Sequence, residues 1–339
     1  MKPGNEASLG KIAGSLLVFL RFVALSAETA ETNAPSRLTN SATGFPGHFV
    51  HDPSTIARCV ADYWVFSTGA GIASRHSRDL TNWASGPRVF STPPAWTTNA
   101  VPGFRGYFWA PDIIHLGNRY LLYYSVSRWG VNTSAIGLAT NPTPDPNDPS
   151  FAWTDQGPVC QSRLQDNFNT IDPSVMWAAD GSLWLAFGSF WTGIKLLQLD
   201  PNTGKRISQD SPIYSLAFHD SIEAPCLVER QGAFYLFANW GQCCKGTNST
   251  YNIRVGRSAI VTGPYLDKDG KSLLQGGGTS FLESKGRFIG PGHAGIYSEA
   301  ERSWFSFHYY DAERGGAATL AVQHLNWGAD GWPVLREEK

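Results

Sequence analysis

Residues 171–173 read Ile171-Asp172-Pro173, and eight residues later the chain continues Gly181-Ser182-Leu183-Trp184-Leu185-Ala186-Phe187. The first string sets an acid against a proline. The second opens on small turn residues and runs into an apolar, aromatic stretch, the signature of a strand leaving a tight hairpin. The same layout occurs four more times. His51-Asp52-Pro53 precedes Asp62-Tyr63-Trp64-Val65-Phe66, and Trp109-Ala110-Pro111 precedes Asn118-Arg119-Tyr120-Leu121-Leu122-Tyr123. Glu223-Ala224-Pro225 precedes Gly232-Ala233-Phe234-Tyr235-Leu236-Phe237, and Gly290-Pro291-Gly292-His293 precedes Arg302-Ser303-Trp304-Phe305-Ser306-Phe307. The offset from motif to aromatic is twelve residues for Asp52 to Trp64, Asp172 to Trp184 and Glu223 to Tyr235, and eleven for Trp109 to Tyr120 and His293 to Trp304. Positions 52, 109, 172, 223 and 293 are separated by 57, 63, 51 and 70 residues, which suits a unit of four short strands with generous loops. Further strand candidates follow at residues 135–139, 194–199 and 318–322, and no long helical periodicity competes with them. The expected fold is all-β, a five-bladed β-propeller filling residues 44–339 as one domain.

A propeller gives the repeat a physical purpose, because each blade presents the start of its innermost strand to the central channel. Asp52, Asp172 and Glu223, more than 50 residues apart in the chain, are then expected at one channel mouth, with Trp109 and His293 beside them.

The rest of the chain narrows the ligand. With 27 Lys+Arg against 28 Asp+Glu the net charge is −1, which offers no concentrated basic surface to nucleic acid or to an anionic membrane. Thirteen Trp, 12 Tyr and 19 Phe in 339 residues suit a neutral ligand with apolar faces. Lys2 and Lys11 precede an apolar run at residues 12–20, followed by Ala24, Ser26 and Ala27; residues 1–27 read as a signal peptide, too short in their apolar part to span a bilayer. Residues 28–43 are polar and aperiodic and read as a linker, so a secreted or periplasmic protein is expected. The five cysteines, Cys59, Cys160, Cys226, Cys243 and Cys244, show no metal-type spacing and assign no disulfide.

Converging acids in a neutral aromatic cavity suit cleavage of a glycosidic bond, which needs a proton donor for the leaving oxygen and a carboxylate on the other side. Crowded carboxyls raise the proton affinity of at least one member, so one stays protonated near neutrality while another ionises.

Taken together, His51-Asp52-Pro53, Trp109-Ala110-Pro111-Asp112, Asp166-Asn167-Phe168-Asn169-Thr170-Ile171-Asp172-Pro173, Gly188-Ser189-Phe190-Trp191-Thr192-Gly193-Ile194-Lys195, Glu223-Ala224-Pro225, Cys243-Cys244 and Gly290-Pro291-Gly292-His293-Ala294-Gly295 resemble the endo-1,5-α-L-arabinanases of glycoside hydrolase family 43. The resemblance implies an inverting mechanism on linear or debranched arabinan and arabino-oligosaccharides. It implies Asp52 as the general base, Glu223 as the general acid, and Asp172 as the acid that tunes and orients the donor. Inversion requires the acid and base carboxyls to stand roughly 6.5–9.5 Å apart. Trp109, Asn132, Asn169, Thr170, Ile171, Ser189, Phe190 and Trp191, together with Asp52 and Asp172, are the implied substrate contacts. The family also carries a central ion approached by the histidine matching His293, and calcium or sodium, largely hydrated, is the implied occupant.

One string departs from the family: Ala238-Asn239-Trp240-Gly241-Gln242 stands where a Phe-Asp-Phe type is expected, in a loop that faces substrate in the family. Two other readings compete with an endo-acting monomer: an exo-acting α-L-arabinofuranosidase or β-xylosidase, and a sugar-binding propeller without catalysis.

Overall fold

The computed structural model describes residues 49–335, so the expected signal peptide and linker lie outside the described residues. Five antiparallel sheets follow one another along the chain. Blade 1 is built from Ala57–Cys59, Asp62–Ser67, Ala73–Ser77 and Ala84–Ser85. Blade 2 contains Tyr107–Leu116, Arg119–Val126, Ser134–Asn141 and Thr154–Ser162, with the short strand Gly69–Ala70 paired on its first strand. Blade 3 runs from Ser174–Trp177 through Leu183–Phe187 and Ile194–Leu199 to Tyr214–Ala217, and blade 4 from Glu223–Arg230 through Ala233–Trp240 and Asn252–Ser258 to Thr279–Leu282. Blade 5 comprises Phe288–Glu299, Arg302–Asp311, Ala317–Trp327 and Pro333–Leu335. The expected five-bladed propeller is the observed fold, and each predicted aromatic run is the second strand of its blade.

Period-two alternation explains why these runs are apolar throughout. In Arg119–Val126, Tyr120, Leu122 and Tyr124 pack toward blade 1 while Leu121 and Tyr123 pack toward blade 3, so both faces are buried. A buried cluster of this kind lies at every blade interface, including Val50, Ile56, Val65 and Leu320 between blades 5 and 1. Each Leu or Phe so buried contributes roughly 1.5–3 kcal/mol relative to exposure. The ring is also clasped by backbone: the Val50 N–H donates to the Ala318 carbonyl (3.1 Å), and Phe49 bridges Thr319.

Polar bonds near the channel tie the first strands together. The buried Asp112 carboxylate of blade 2 accepts from Thr55 N of blade 1 (2.9 Å) and Val175 N of blade 3 (2.8 Å). Burial raises its proton affinity, to a pKa of about 6, against the pull of those donors. Ser174 of blade 3 accepts from Leu227 N of blade 4 (3.0 Å).

Candidate active site

The repeat has a backbone signature that the residue pattern only half reveals. Asp52, Ala110, Asp172, Ala224 and His293 all lie in the left-handed region, at φ of 52°, 41°, 57°, 51° and 59°. Non-glycine residues avoid this region at a cost of roughly 1–2 kcal/mol each. One such residue lies within or shortly before the first strand of each blade, and each is held by the blade before it. The N–H of Asp52 donates to His308 Nδ1 of blade 5 (3.1 Å), that of Ala110 to Thr68 Oγ1 beside blade 1 (2.8 Å), and that of Asp172 to Ser125 Oγ of blade 2 (2.9 Å). The Ala224 N–H donates to Asp172 Oδ2 of blade 3 (3.1 Å), and the His293 N–H to Asn239 Oδ1 of blade 4 (2.9 Å). The strain is therefore offset by a circular set of hydrogen bonds. This register also refines the expected alignment: Asp52, Asp172 and His293 occupy the left-handed position itself, whereas Trp109 and Glu223 stand one residue earlier.

Electrostatics separate the three acids. Asp52 Oδ2 accepts from Thr68 Oγ1 (2.6 Å) and pairs with His51 Nδ1 (2.8 Å), while His293 Nδ1 and His308 Nδ1 lie 3.7 and 3.8 Å from Oδ1. Burial works against ionisation of Asp52, but the charge of His51 and its hydrogen bond outweigh it and hold the carboxyl far below the ordinary range. Reciprocally, His51 is raised to about 10 because the Asp52 charge overcomes its burial. Glu223 is shifted the other way, up to about 7, by burial first, although the Ser189 hydroxyl donates to Oε2 (2.7 Å) and favours the charged form. Tyr251 donates to the other oxygen, Oε1. Asp172 is raised well above the carboxylate range by burial and then by the charges of Glu223 and Asp52. One acid ionised and a neighbouring pair that retains protons is the division that acid/base chemistry requires.

The remaining expected contacts divide into groups. Trp109 meets Trp129 edge-on at 6.4 Å, and Trp129 is 75% exposed, so the pair presents an aromatic surface. Trp191 is 41% exposed and, like Phe190, left-handed; the Phe190 N–H is tied to the Ile222 carbonyl (2.7 Å), next to Glu223. Ser189 is the donor to Glu223. Asn132 is committed elsewhere, since its amide donates to the carbonyls of Asp166 (2.8 Å) and Phe168 (3.2 Å), and at 1% exposure it buttresses the loop. Asn169 likewise accepts from Ser134 Oγ (2.7 Å), Thr170 N donates to Ser162 Oγ, and the Ile171 carbonyl accepts from Gly188 N, so these three hold Asp172 in place from buried positions. The departing string is structural at Asn239, which is fully buried and braces His293; Trp240 is half-buried, stacked on His219 at 4.0 Å with the Arg254 guanidinium 5.0 Å from its ring, and Gln242 is exposed.

Sequence reasoning missed Thr68, Ser125, Tyr251, His308 and Tyr310. None belongs to the repeated motif, because each sits on a neighbouring strand or its end. His51 lay inside a quoted motif without a role; its ring stacks on His308 (4.2 Å) and bonds Tyr310 Oη through Nε2 (2.8 Å). As for an ion, His293 and His308 are both pushed toward the neutral form by burial, the form that offers a lone pair, and His308 Nε2 is buried without a partner among the described residues. His51, Asp52 and His308 place potential ligand atoms within 4.8 Å of one another, but His51 Nδ1 and Asp52 Oδ2 already bond each other and His308 Nδ1 accepts from the Asp52 N–H. The donors fit a cation that takes one imidazole and completes its shell with water.

Against known proteins, an extracellular endo-α-(1→5)-L-arabinanase of Bacillus subtilis is 41% identical, the match covering 86% of this chain and 88% of that protein. An extracellular exo-α-(1→5)-L-arabinofuranosidase of Cellvibrio japonicus is 39% identical over 86% of this chain and 87% of that protein. The solved structure of a Cellvibrio cellulosa α-L-arabinanase complexed with arabinohexaose superposes with a TM-score of 0.80 at 38% identity, covering 85% of this chain and 95% of that one. The family model for glycosyl hydrolases family 43 matches residues 46–333, and the chain belongs to that family.

Proposed function

We propose that the protein hydrolyses α-1,5-linked L-arabinofuranosyl bonds within arabinan, inverting the anomeric carbon. The observation that carries the reading is the opposed state of two acids: Asp52 held ionised among histidines, Glu223 raised to about 7. Glu223 donates its proton to the departing sugar oxygen as the glycosidic bond breaks. Asp52 takes a proton from the water that attacks the anomeric carbon from the opposite face. Asp172 accepts the N–H of Ala224, which fixes the backbone carrying Glu223. Ser189 and Tyr251 hold both oxygens of Glu223, limiting its rotation.

The Trp109–Trp129 pair and Trp191 supply faces for the sugar rings. A calcium or sodium ion, held by His293 and otherwise hydrated, would add positive charge near the acids. The protein acts as a secreted monomer; both the Bacillus and the Cellvibrio japonicus relatives are named extracellular. An exo-acting reading also has support, since the Cellvibrio relative is named for that activity. Incubating purified protein with linear arabinan and sizing the products in the first minutes separates the two. Mixed oligosaccharides support internal cleavage, arabinose alone supports the exo-acting reading, and no product refutes both.

A further inference from the structure

Cys243 and Cys244 adjoin in sequence, and their Sγ atoms lie 2.6 Å apart. Cys244 is exposed and Cys243 half-buried. Cys244 is left-handed (φ 62°), and its N–H donates to Tyr310 Oη (2.6 Å), which turns its sulfur to within 3.8 Å of His51 Nε2. Tyr310 Oη bonds that same His51 nitrogen (2.8 Å), and His51 Nδ1 pairs with Asp52 (2.8 Å). An accessible thiol pair is thus joined to the general base through one imidazole. Hydrolysis uses neither sulfur.

We propose that Cys243–Cys244 is a thiol–disulfide modification site, closed by exchange with a small-molecule or protein disulfide, whose state adjusts the charge balance at the catalytic acids.

Exposure makes Cys244 the attacking group. The adjoining Cys243 sulfur and then the His51 imidazole draw the Cys244 thiol down, while Cys243 is pushed strongly upward by its neighbour and by burial. The Cys244 thiolate attacks one sulfur of R–S–S–R, the S–S bond breaks, and RS⁻ departs and takes a proton from water. Cys243 then yields its proton to solvent and attacks Cys244 Sγ, expelling the second RS⁻, which is protonated in turn. Two protein thiols are oxidised to one disulfide, and the oxidant is reduced to two thiols. Closure removes a negative charge that faces His51, Asp52 and Glu223. Because the Cys244 charge favours the protonated form of Glu223, the closed site holds that proton less tightly.

The coupling rests on Glu223 being the general acid, whereas closure does not. The whole protein is equilibrated with oxidised glutathione or with dithiothreitol, then alkylated with iodoacetamide and peptide-mapped, and kcat/KM on linear arabinan is followed against pH. Expected are two alkylated cysteines at 243 and 244 after reduction and none after oxidation, with the alkaline limb about 0.3 pH unit or more lower when oxidised, a twofold change in the protonation ratio. Full alkylation of both after oxidised glutathione overturns the site, and closure with an unmoved profile overturns the coupling. Cys244→Ser removes the attacking thiolate and makes the profile insensitive to redox state; a shift that persists in it assigns the effect elsewhere and refutes the proposal. Absence of hydrolysis in both states would defeat the proposed function, while the alkylation map would still decide the disulfide.

Discussion

Ser189→Ala removes one of two hydroxyls bound to Glu223 and so tests whether that carboxyl is the proton donor. Ser189 donates to Oε2 at 2.7 Å from a site 3% exposed, which favours the ionised carboxylate. A hydrogen bond to a charged group is worth about 1.5–3 kcal/mol, and one pKa unit corresponds to about 1.4 kcal/mol. Partial replacement by water brings the expected rise to about one unit. Glu223 stands at about 7, so the alkaline limb of kcat/KM moves to roughly 8. A donor of higher proton affinity is also a weaker acid, so kcat on arabinan falls several-fold on the plateau. The assay is release of reducing ends from linear arabinan between pH 4 and 10. A limb that stays in place, or moves down, would refute the claim that Ser189 sets the proton affinity of the acid.

Asp172→Asn predicts a different pattern in the same assay: Asp172 holds its own proton above Glu223, so a neutral amide leaves the alkaline limb in place while kcat falls through the weakened hold on the Ala224 N–H, and a limb that moves by a full pH unit would contradict that order of protonation. Asp112→Ala leaves Thr55 N and Val175 N without an acceptor in the buried ring, and stability in urea unfolding should fall by about 2–5 kcal/mol; a change under about 0.5 kcal/mol would show the inter-blade bonds to be dispensable. Chelation in sodium-free buffer should lower the melting temperature, with recovery on adding calcium or sodium; an unchanged melting curve across all three conditions rules against the ion.

The fold was legible because the repeat has a physical period. A strand buried on both faces must be apolar at every position, and a hairpin must precede it, so Leu183–Phe187 and Ala233–Trp240 announce themselves. Asp52, Asp172 and Glu223 were legible because they share the motif that opens each blade. What stayed hidden was their support. Tyr251 reaches Glu223 from 28 residues away, and Thr68 reaches Asp52 from 16, without a spacing rule that would mark either. Asn132 illustrates the converse: an amide that reads as a sugar contact is committed to two backbone carbonyls, and only the buried path of the 166–168 loop makes that visible. The alignment of Glu223 with Asp172 was off by one residue for a similar reason, since the left-handed backbone, not the acid, defines the register.

The division of labour between Glu223 and Asp52 is tested most directly by changing how much the leaving group needs a proton. Wild type, Glu223→Gln and Asp52→Asn are compared on linear arabinan and on an arabinotrioside with a 2,4-dinitrophenyl leaving group, which departs without protonation. Glu223→Gln is expected to lose arabinan hydrolysis but retain turnover of the activated glycoside, whereas Asp52→Asn loses both. Equal loss on both substrates in Glu223→Gln, or arabinan hydrolysis surviving in either variant, would contradict the assignment of acid and base.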